Sequence, residues 1–300
     1  MSSVRLSASA FFVFLTLVAT LLSPPAKPET LAHAPRIGVL VPPIPAIFEI
    51  PLRDSLRDLG YIDGKSVFLD VRRSQGSQQG WRALADDLVR SKVDLILAVG
   101  TPAARAAMDS TTEIPIVFGV GDAINTSLTP SLAKPRRNGT GITTMSTELS
   151  AKRLELLLEL APRAHRVAYL YNPTSPLGPR IREQVERAAV TLRVQLDVME
   201  AKDADQIDAA LKTISRNRPD GFLVSSEVLF IARRDRIVEA VAKVRLPTVF
   251  PWRIYATEGG VASYGASNEE GMRRMAIYAD KVLRARSLPT FLLNNYRCFT

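Results

Sequence analysis

From Arg36 onward, short apolar runs alternate with stretches whose apolar residues recur every third or fourth position. The runs Ile37–Val41, Val67–Val71, Asp94–Val99 and Ile114–Phe118 predict four strands. After a break, Val167–Tyr171, Gln195–Met199, Gly221–Ser225 and Thr248–Phe250 predict four more. Runs as continuously apolar as LILAVG and VAYLY suit strands covered on both faces, as in parallel sheets. Between the strands, Trp81, Leu84, Ala85 and Leu88 form a helical stripe, as do Leu154, Leu157, Leu158 and Ala161. The pattern returns at Ile181, Val185, Ala188 and Leu192, at Ile207, Ala210, Leu211 and Ile214, and at Ile237, Ala240, Val241 and Val244. This i, i+3, i+4, i+7 spacing is the face a helix lays on a sheet. Strand-to-strand spacing is near the roughly 30 residues of a βαβ unit.

Two groups of such units predict an α/β chain of two doubly wound, Rossmann-like lobes with a cleft between them. The expected division is 35–145 plus 261–287 for the N-terminal lobe and 146–260 for the C-terminal lobe. A strand Gly141–Thr144 and a helix Glu148–Leu160 are expected to cross between lobes, and a second crossing is expected near Pro251–Gly260. The helix Glu269–Arg284 then returns to the first lobe, with Met272, Met275, Ala276, Ala279 and Leu283 inward.

Residues 1–34 read as a signal peptide and linker. Arg5 precedes the uncharged run Ala8–Leu22, which ends at Ser23-Pro24-Pro25. Such a run is shorter than the roughly 20 residues of a spanning helix and matches an export signal, with an uncleaved anchor as the alternative. The expected location is therefore periplasmic or otherwise extracytoplasmic. With 300 residues, 46% hydrophobic and 23% charged, the rest is ordinary globular sequence and not a disordered or coiled-coil chain. One Cys, Cys298, and two His exclude a disulfide framework and a Cys/His zinc site. The net charge of +9 is spread over helices that also carry acids. Its densest cluster, Lys134, Arg136 and Arg137, lies in a turn-rich stretch and reads as solvated surface rather than a nucleic-acid site.

In doubly wound sheets ligands bind where strands end at their carboxyl side. Gly100-Thr101-Pro102-Ala103 follows one strand and opens a helix. Thr101 can cap it, Pro102 fits its first turn, and the free N–H groups there can receive a carboxylate, or the turn can be a cap and nothing more. Asp122 can offer its carboxylate to a ligand ammonium or bond its own turn. From the second lobe, Asn172, Glu227 and Arg253 are candidates for a ligand's polar atoms. Tyr171, Trp252 and Tyr264 can flank an apolar side chain or pack as hinge residues. No GxGxxG, GxSxG, HExxH or P-loop occurs. His33 and His165 are not placed as general bases, and Asp122 with Glu227 is a weak hydrolase pair. The expected ligand site is non-catalytic, with no cofactor and no metal.

The runs GTPAARAA, IPIVFGVGD, ELSAKRLELLLELAP and GGVASYG, with LRDLGYIDGKSVFLDVR before them and NEEGMRRMAIYADKVLR after, together resemble ABC-importer substrate-binding proteins of the tryptophan/tyrosine type. The resemblance covers roughly Arg36 to Pro289. It implies a type-1 periplasmic-binding-protein fold with three crossovers, a small ligand such as an amino acid, an inner-membrane permease and a cytoplasmic ATPase as partners, and a monomer that binds no nucleic acid. A ligand-sensing receptor for a membrane sensor is the other function this architecture can serve. Three departures stand out. Residues 288–300 form an atypical tail in which the final strand of the second lobe is expected to be missing. Pro42-Pro43 replaces a small polar residue, and Ser226-Glu227 stands where Asp-Pro or Asn-Pro is common.

Overall fold

The computed structural model describes residues 34–44, 46–74, 78–131, 138–285 and 294–295. The expected export segment, the Lys134–Arg137 cluster, Cys298 and most of the tail lie outside the described residues. In chain order the elements are β1 (Arg36–Val41), α1 (Glu49–Asp58), β2 (Phe68–Arg73), α2 (Gln78–Arg90), β3 (Leu95–Val99), α3 (Thr101–Ser110), β4 (Ile116–Val120) and β5 (Gly139–Thr143). Then follow α4 (Ser146–Leu160), β6 (Arg166–Tyr171), α5 (Gly178–Leu192), β7 (Gln195–Glu200), α6 (Ala204–Asn217) and β8 (Gly221–Val224). The remainder is α7 (Val228–Ile231), α8 (Arg234–Lys243), β9 (Val249–Phe250), α9 (Arg253–Thr257), β10 (Ala262–Ser263), α10 (Asn268–Ala285) and β11 (Asn294–Asn295).

The first sheet is parallel, in the order β2-β1-β3-β4-β5, with β11 added beside β5. Side chains alternate across it. Ile37, Val39, Leu95, Leu97 and Val117 face Leu52 and Leu56 of α1 and Met272, Met275 and Ala276 of α10. Leu40, Ile96, Ala98, Ile116 and Phe118 face Trp81, Ala85 and Leu88 of α2 and the alanines of α3. Both faces are covered at the centre of the sheet, which is why β1, β3 and β4 read as apolar runs.

The second sheet runs β7-β6-β8, also parallel. A bridge from Phe222 to Thr248 extends it to β9, and β10 lies beside β9. Leu154, Leu157, Ile181 and Val185 of α4 and α5 cover one face. Ile207, Leu211, Ile214, Ile237 and Val241 of α6 and α8 cover the other. No strand of the described tail joins this sheet.

One crossing differs from expectation. Residues 251–260 stay with the second lobe, because α9 packs on α8, β9 and β10. The chain returns to the first lobe between Ser263 and Asn268, after which α10 packs on α1, β3, β4 and β5. Gly265 is needed in this return, since a Cβ there would sit 1.9 Å from the Pro251 carbonyl oxygen.

Candidate functional site

Loops at the carboxyl ends of the two sheets meet. Phe48, after β1, touches Trp252, after β9, edge-to-face at 6.1 Å between ring centroids. Gly121, after β4, lies against Leu177, after β6, so closely that a Cβ on the glycine would be 3.1 Å from Leu177 Cδ1. The cleft edge is therefore built from both lobes.

On the first-lobe side, Gly100 is the N-cap of α3, with φ 93° and ψ 152°, and Thr101 is the first helical residue. This corrects the expectation that Thr101 caps the helix. The backbone conformation at the cap is open essentially to glycine, so the residue whose side chain could cap cannot sit there. Thr101 and Ala103 are buried and Pro102 is half-buried in the first turn. The N–H groups of that turn have no partner within the helix, and they favour an anion.

Asp122 is buried, and its oxygens are engaged locally. Oδ1 accepts from the Asn125 N–H at 2.9 Å, and Oδ2 accepts from the Asn125 amide at 2.5 Å and the Thr147 hydroxyl at 3.0 Å. The structure thus favours the turn-bonding reading of this acid, which fastens the β4 loop to the start of α4. Asn172 likewise caps its own turn, Oδ1 accepting from Thr174 N–H at 3.0 Å and Thr174 Oγ1 at 2.8 Å.

Tyr171 is buried, stacks on Tyr169 at 5.8 Å, and donates its hydroxyl to Glu200 at 2.6 Å. Arg182 donates to the same hydroxyl at 2.9 Å and lies over the ring. These partners belong to α5 and β7, so Tyr171 is tied to the flank of the second lobe. Arg253 is exposed at the start of α9. Tyr264 is half-buried, its N–H donating to the Phe250 carbonyl at 2.8 Å.

Glu227 stands apart from the other acids. It is the N-cap of α7, and its side chain caps nothing. Oε2 accepts from Ser225 Oγ, while Oε1 is shut off from solvent and has no partner, although the residue as a whole is half-buried. Burial pushes its pKa up to about 7, against the Ser225 hydrogen bond and the attraction of Arg153. Asp122 and Glu227 share no partner, so the hydrolase pairing has no geometric support.

Arg153 was not singled out from sequence. It lies in α4 with 1% of its surface exposed. Its guanidinium donates to Ser150 Oγ and, at 3.2 Å, to the Tyr264 carbonyl, while Nε has no partner. Burial lowers its pKa to about 10, so it remains a cation at neutral pH. Tyr169 and Tyr255 complete the cluster, and burial raises both phenols. The Tyr169 hydroxyl lies beside Ser225, but Ser225 donates to Glu227 and the phenol completes no hydrogen bond. With Ser226 Oγ, four polar atoms of this cluster are buried and unpartnered. Each such atom costs about 1–3 kcal/mol, more where charged, a cost that an incoming polar partner removes.

The family model described as ABC transporter substrate binding protein matches residues 48–289. The chain belongs to this family. A tyrosine-binding protein of Clostridioides difficile (strain R20291) is 32% identical over 219 residues, covering 71% of this chain and 59% of that protein. The chain thus matches about three fifths of that relative's length. A conserved domain protein from Vibrio cholerae has a similar fold, with a TM-score of 0.80 and 21% identity, covering 89% of this chain and 90% of that one. An ABC domain from Streptococcus pneumonia in complex with L-Trp gives a TM-score of 0.78 and 20% identity, with the same coverage. A ligand-free, open substrate-binding protein from Clostridium difficile gives 0.64 and 21%, covering 88% of this chain and 90% of that one. The α/β architecture with parallel sheets in two lobes is the one these solved structures share.

Proposed function

We propose that this family member captures an amino acid, best an aromatic one, in the cleft between its lobes and delivers it to an ABC importer. The carrying observation is Glu227, whose buried Oε1 lacks a partner at the carboxyl end of the second sheet. A ligand ammonium would fill that vacancy with a charge-assisted hydrogen bond. The first turn of α3 would take the carboxylate, and Trp252 against Phe48 offers an aromatic surface where the lobes meet. The tyrosine-binding relative and the similarly folded domain in complex with L-Trp support this ligand class. On this reading Thr101, Pro102 and Ala103 frame the carboxylate, and Trp252, Arg253 and Tyr264 border the side chain. Asp122, Asn172 and Tyr171 hold the surrounding loops.

The same reading makes the chain an extracytoplasmic, monomeric solute-binding subunit with a membrane permease and a cytoplasmic ATPase as partners. Among the described residues no helix is long and apolar enough to cross a membrane. The lobes are taken as 35–145 with 264–287, and 146–263.

A thermal-shift and calorimetric screen of the twenty amino acids, aromatic acids, nucleosides and sugars tests the proposal. A ligand at 100 times its dissociation constant adds about 2.7 kcal/mol to stability. L-tyrosine or L-tryptophan is expected to give the largest shift. A sugar or nucleoside outranking every amino acid would refute the reading.

A further inference from the structure

The pole of the second lobe opposite the cleft carries a row of cations. Arg193, Arg163, Arg218 and Arg245 precede β7, β6, β8 and β9, which lie side by side in that order. The register sets them near one level. Arg166 stands opposite Gln195, Val167 opposite Gly221 and Phe222 opposite Thr248, so each arginine lies one to three residues outside the level of Arg166. Their loops are bonded to one another. Gln195 N–H donates to the His165 carbonyl at 2.8 Å, Asp220 N–H to the Arg166 carbonyl at 2.8 Å and Phe222 N–H to the Pro247 carbonyl at 2.9 Å. Strands about 4.8 Å apart spread the row over roughly 15 Å. These arginines are exposed, as are Arg216 and Lys243 in the last turns of α6 and α8, and among the described residues none of them is in an ion pair. The nearby acids are engaged elsewhere. Asp220 accepts from the His165 and Arg166 N–H groups at 2.9 Å, and Asp197 pairs with Arg166 at 2.6 Å, which leaves Glu159 against the row.

Three of these arginines are held in a conformation that suits another residue. Arg193 and Arg218 cap α5 and α6 with φ 57° and 44°, and Arg245 follows α8 with φ 54°. This left-handed backbone favours glycine, which adopts it after α1 at Gly60 and after α9 at Gly259. In the first lobe Lys92 is the one cation so held among the described residues. The dipoles of α6 and α8 are already met by Arg216 and Lys243 in their last turns. Arg218 and Arg245 therefore add charge where glycine would relieve strain, and helix capping does not account for them.

We propose that this pole docks on an anionic phospholipid surface. A bilayer offers a plane of phosphates, and the row is level and carries charge that nothing in the fold neutralises. Two apolar side chains stand out beside it. Leu160 ends α4 and is 54% exposed, and Val190, in the last turn of α5, is 80% exposed. An open groove lined by Leu160, Pro162, Arg163, Asp220 and Pro247 runs between them and the row's centre. Exposed apolar residues flanked by cations suit the boundary between headgroups and acyl chains. The cleft lies at the other end of the sheet, so docking here leaves it open to ligand.

The test sediments the full chain with vesicles of phosphatidylcholine alone and of phosphatidylcholine with phosphatidylglycerol. The run Ala8–Leu22, with Arg5 before it, acts alike in every variant, so the readout is the ratio of anionic to neutral partition, compared with wild type. At about fivefold per cation, Arg193→Gly/Arg218→Gly/Arg245→Gly is expected to lower this ratio more than about tenfold. Its melting temperature is expected to hold or rise, because glycine takes the left-handed backbone freely. The matching lysine triple variant keeps the charge and is expected to stay within about threefold of wild type. An unchanged ratio in the glycine variant overturns the proposal, as does a lysine variant that loses as much. Should the glycine variant not fold, Arg163→Gln/Arg216→Gln/Lys243→Gln carries the same expectation and the same refutation. Poly-L-glutamate tests the other kind of occupant. If it binds wild type while the anionic vesicles bind no better than the neutral ones, the partner is an acidic protein and the membrane proposal is overturned.

Discussion

A carboxyl whose pKa stands near 7 in the fold and 4.5 in its ordinary state favours the neutral form when folded. Its contribution to stability is fully present below pH 4.5 and is lost as pH rises through 7. At 1.36 kcal/mol per pKa unit, ionising Glu227 in the ligand-free protein costs about 3 kcal/mol. Glu227→Gln, which cannot ionise, is therefore expected to match wild type near pH 4 and to exceed it by up to about 3 kcal/mol at pH 8. Urea unfolding at both pH values measures this, and an identical stability gap at both would contradict it. Asp122 makes the opposite case. Its loss removes three local hydrogen bonds to a charged acceptor, so Asp122→Ala should cost about 2 kcal/mol of stability. L-tyrosine affinity should change less than threefold. A loss of more than tenfold in calorimetry would return the ammonium role to Asp122. These two acids were equally visible in the sequence, since both follow a predicted strand. What separates them is the neighbour at +3, Asn125, which gives Asp122 a turn to bond, whereas Glu227 leads into apolar α7.

Arg153 was not legible for a reason that belongs to its element. The buried face of α4 runs through Ser146, Leu149, Ser150, Arg153, Leu154 and Leu157, whereas the apolar stripe read from sequence starts at Leu154 and continues to Leu158 and Ala161. Polar residues on the inward face break the periodicity on which the reading depends. Strands β1 to β9, by contrast, were legible to within two residues, because apolar runs mark strands covered on both faces, whereas the two-residue β10 and β11 were not read. The second crossing was misplaced because α9 is a five-residue helix, too short to show a helical period. Helix α3 carries its own prediction. With φ 93° and ψ 152° at Gly100, Gly100→Ala is expected to cost about 1–3 kcal/mol and to misplace the first turn. Thermal unfolding measures the cost. A variant as stable as wild type, with unchanged L-tyrosine binding, would show that the turn tolerates a side chain.

At the scale of the molecule, the proposed site draws on groups from the two sheets that neither lobe holds by itself. The first contributes N–H groups at a helix start, and the second a carboxyl group with one unpaired oxygen. Trp252 and Phe48 meet where the loops of the two sheets come together. An amino acid bridging these groups gains from both lobes at once, which is how a small ligand can shift the lobes toward a closed arrangement. A crystal structure of the protein grown with L-tyrosine tests this most directly. The account predicts the ammonium within hydrogen-bond distance of Glu227 Oε1 and the carboxylate on the first turn of α3. A ligand touching one lobe only, with Glu227 Oε1 still unpartnered, would contradict it.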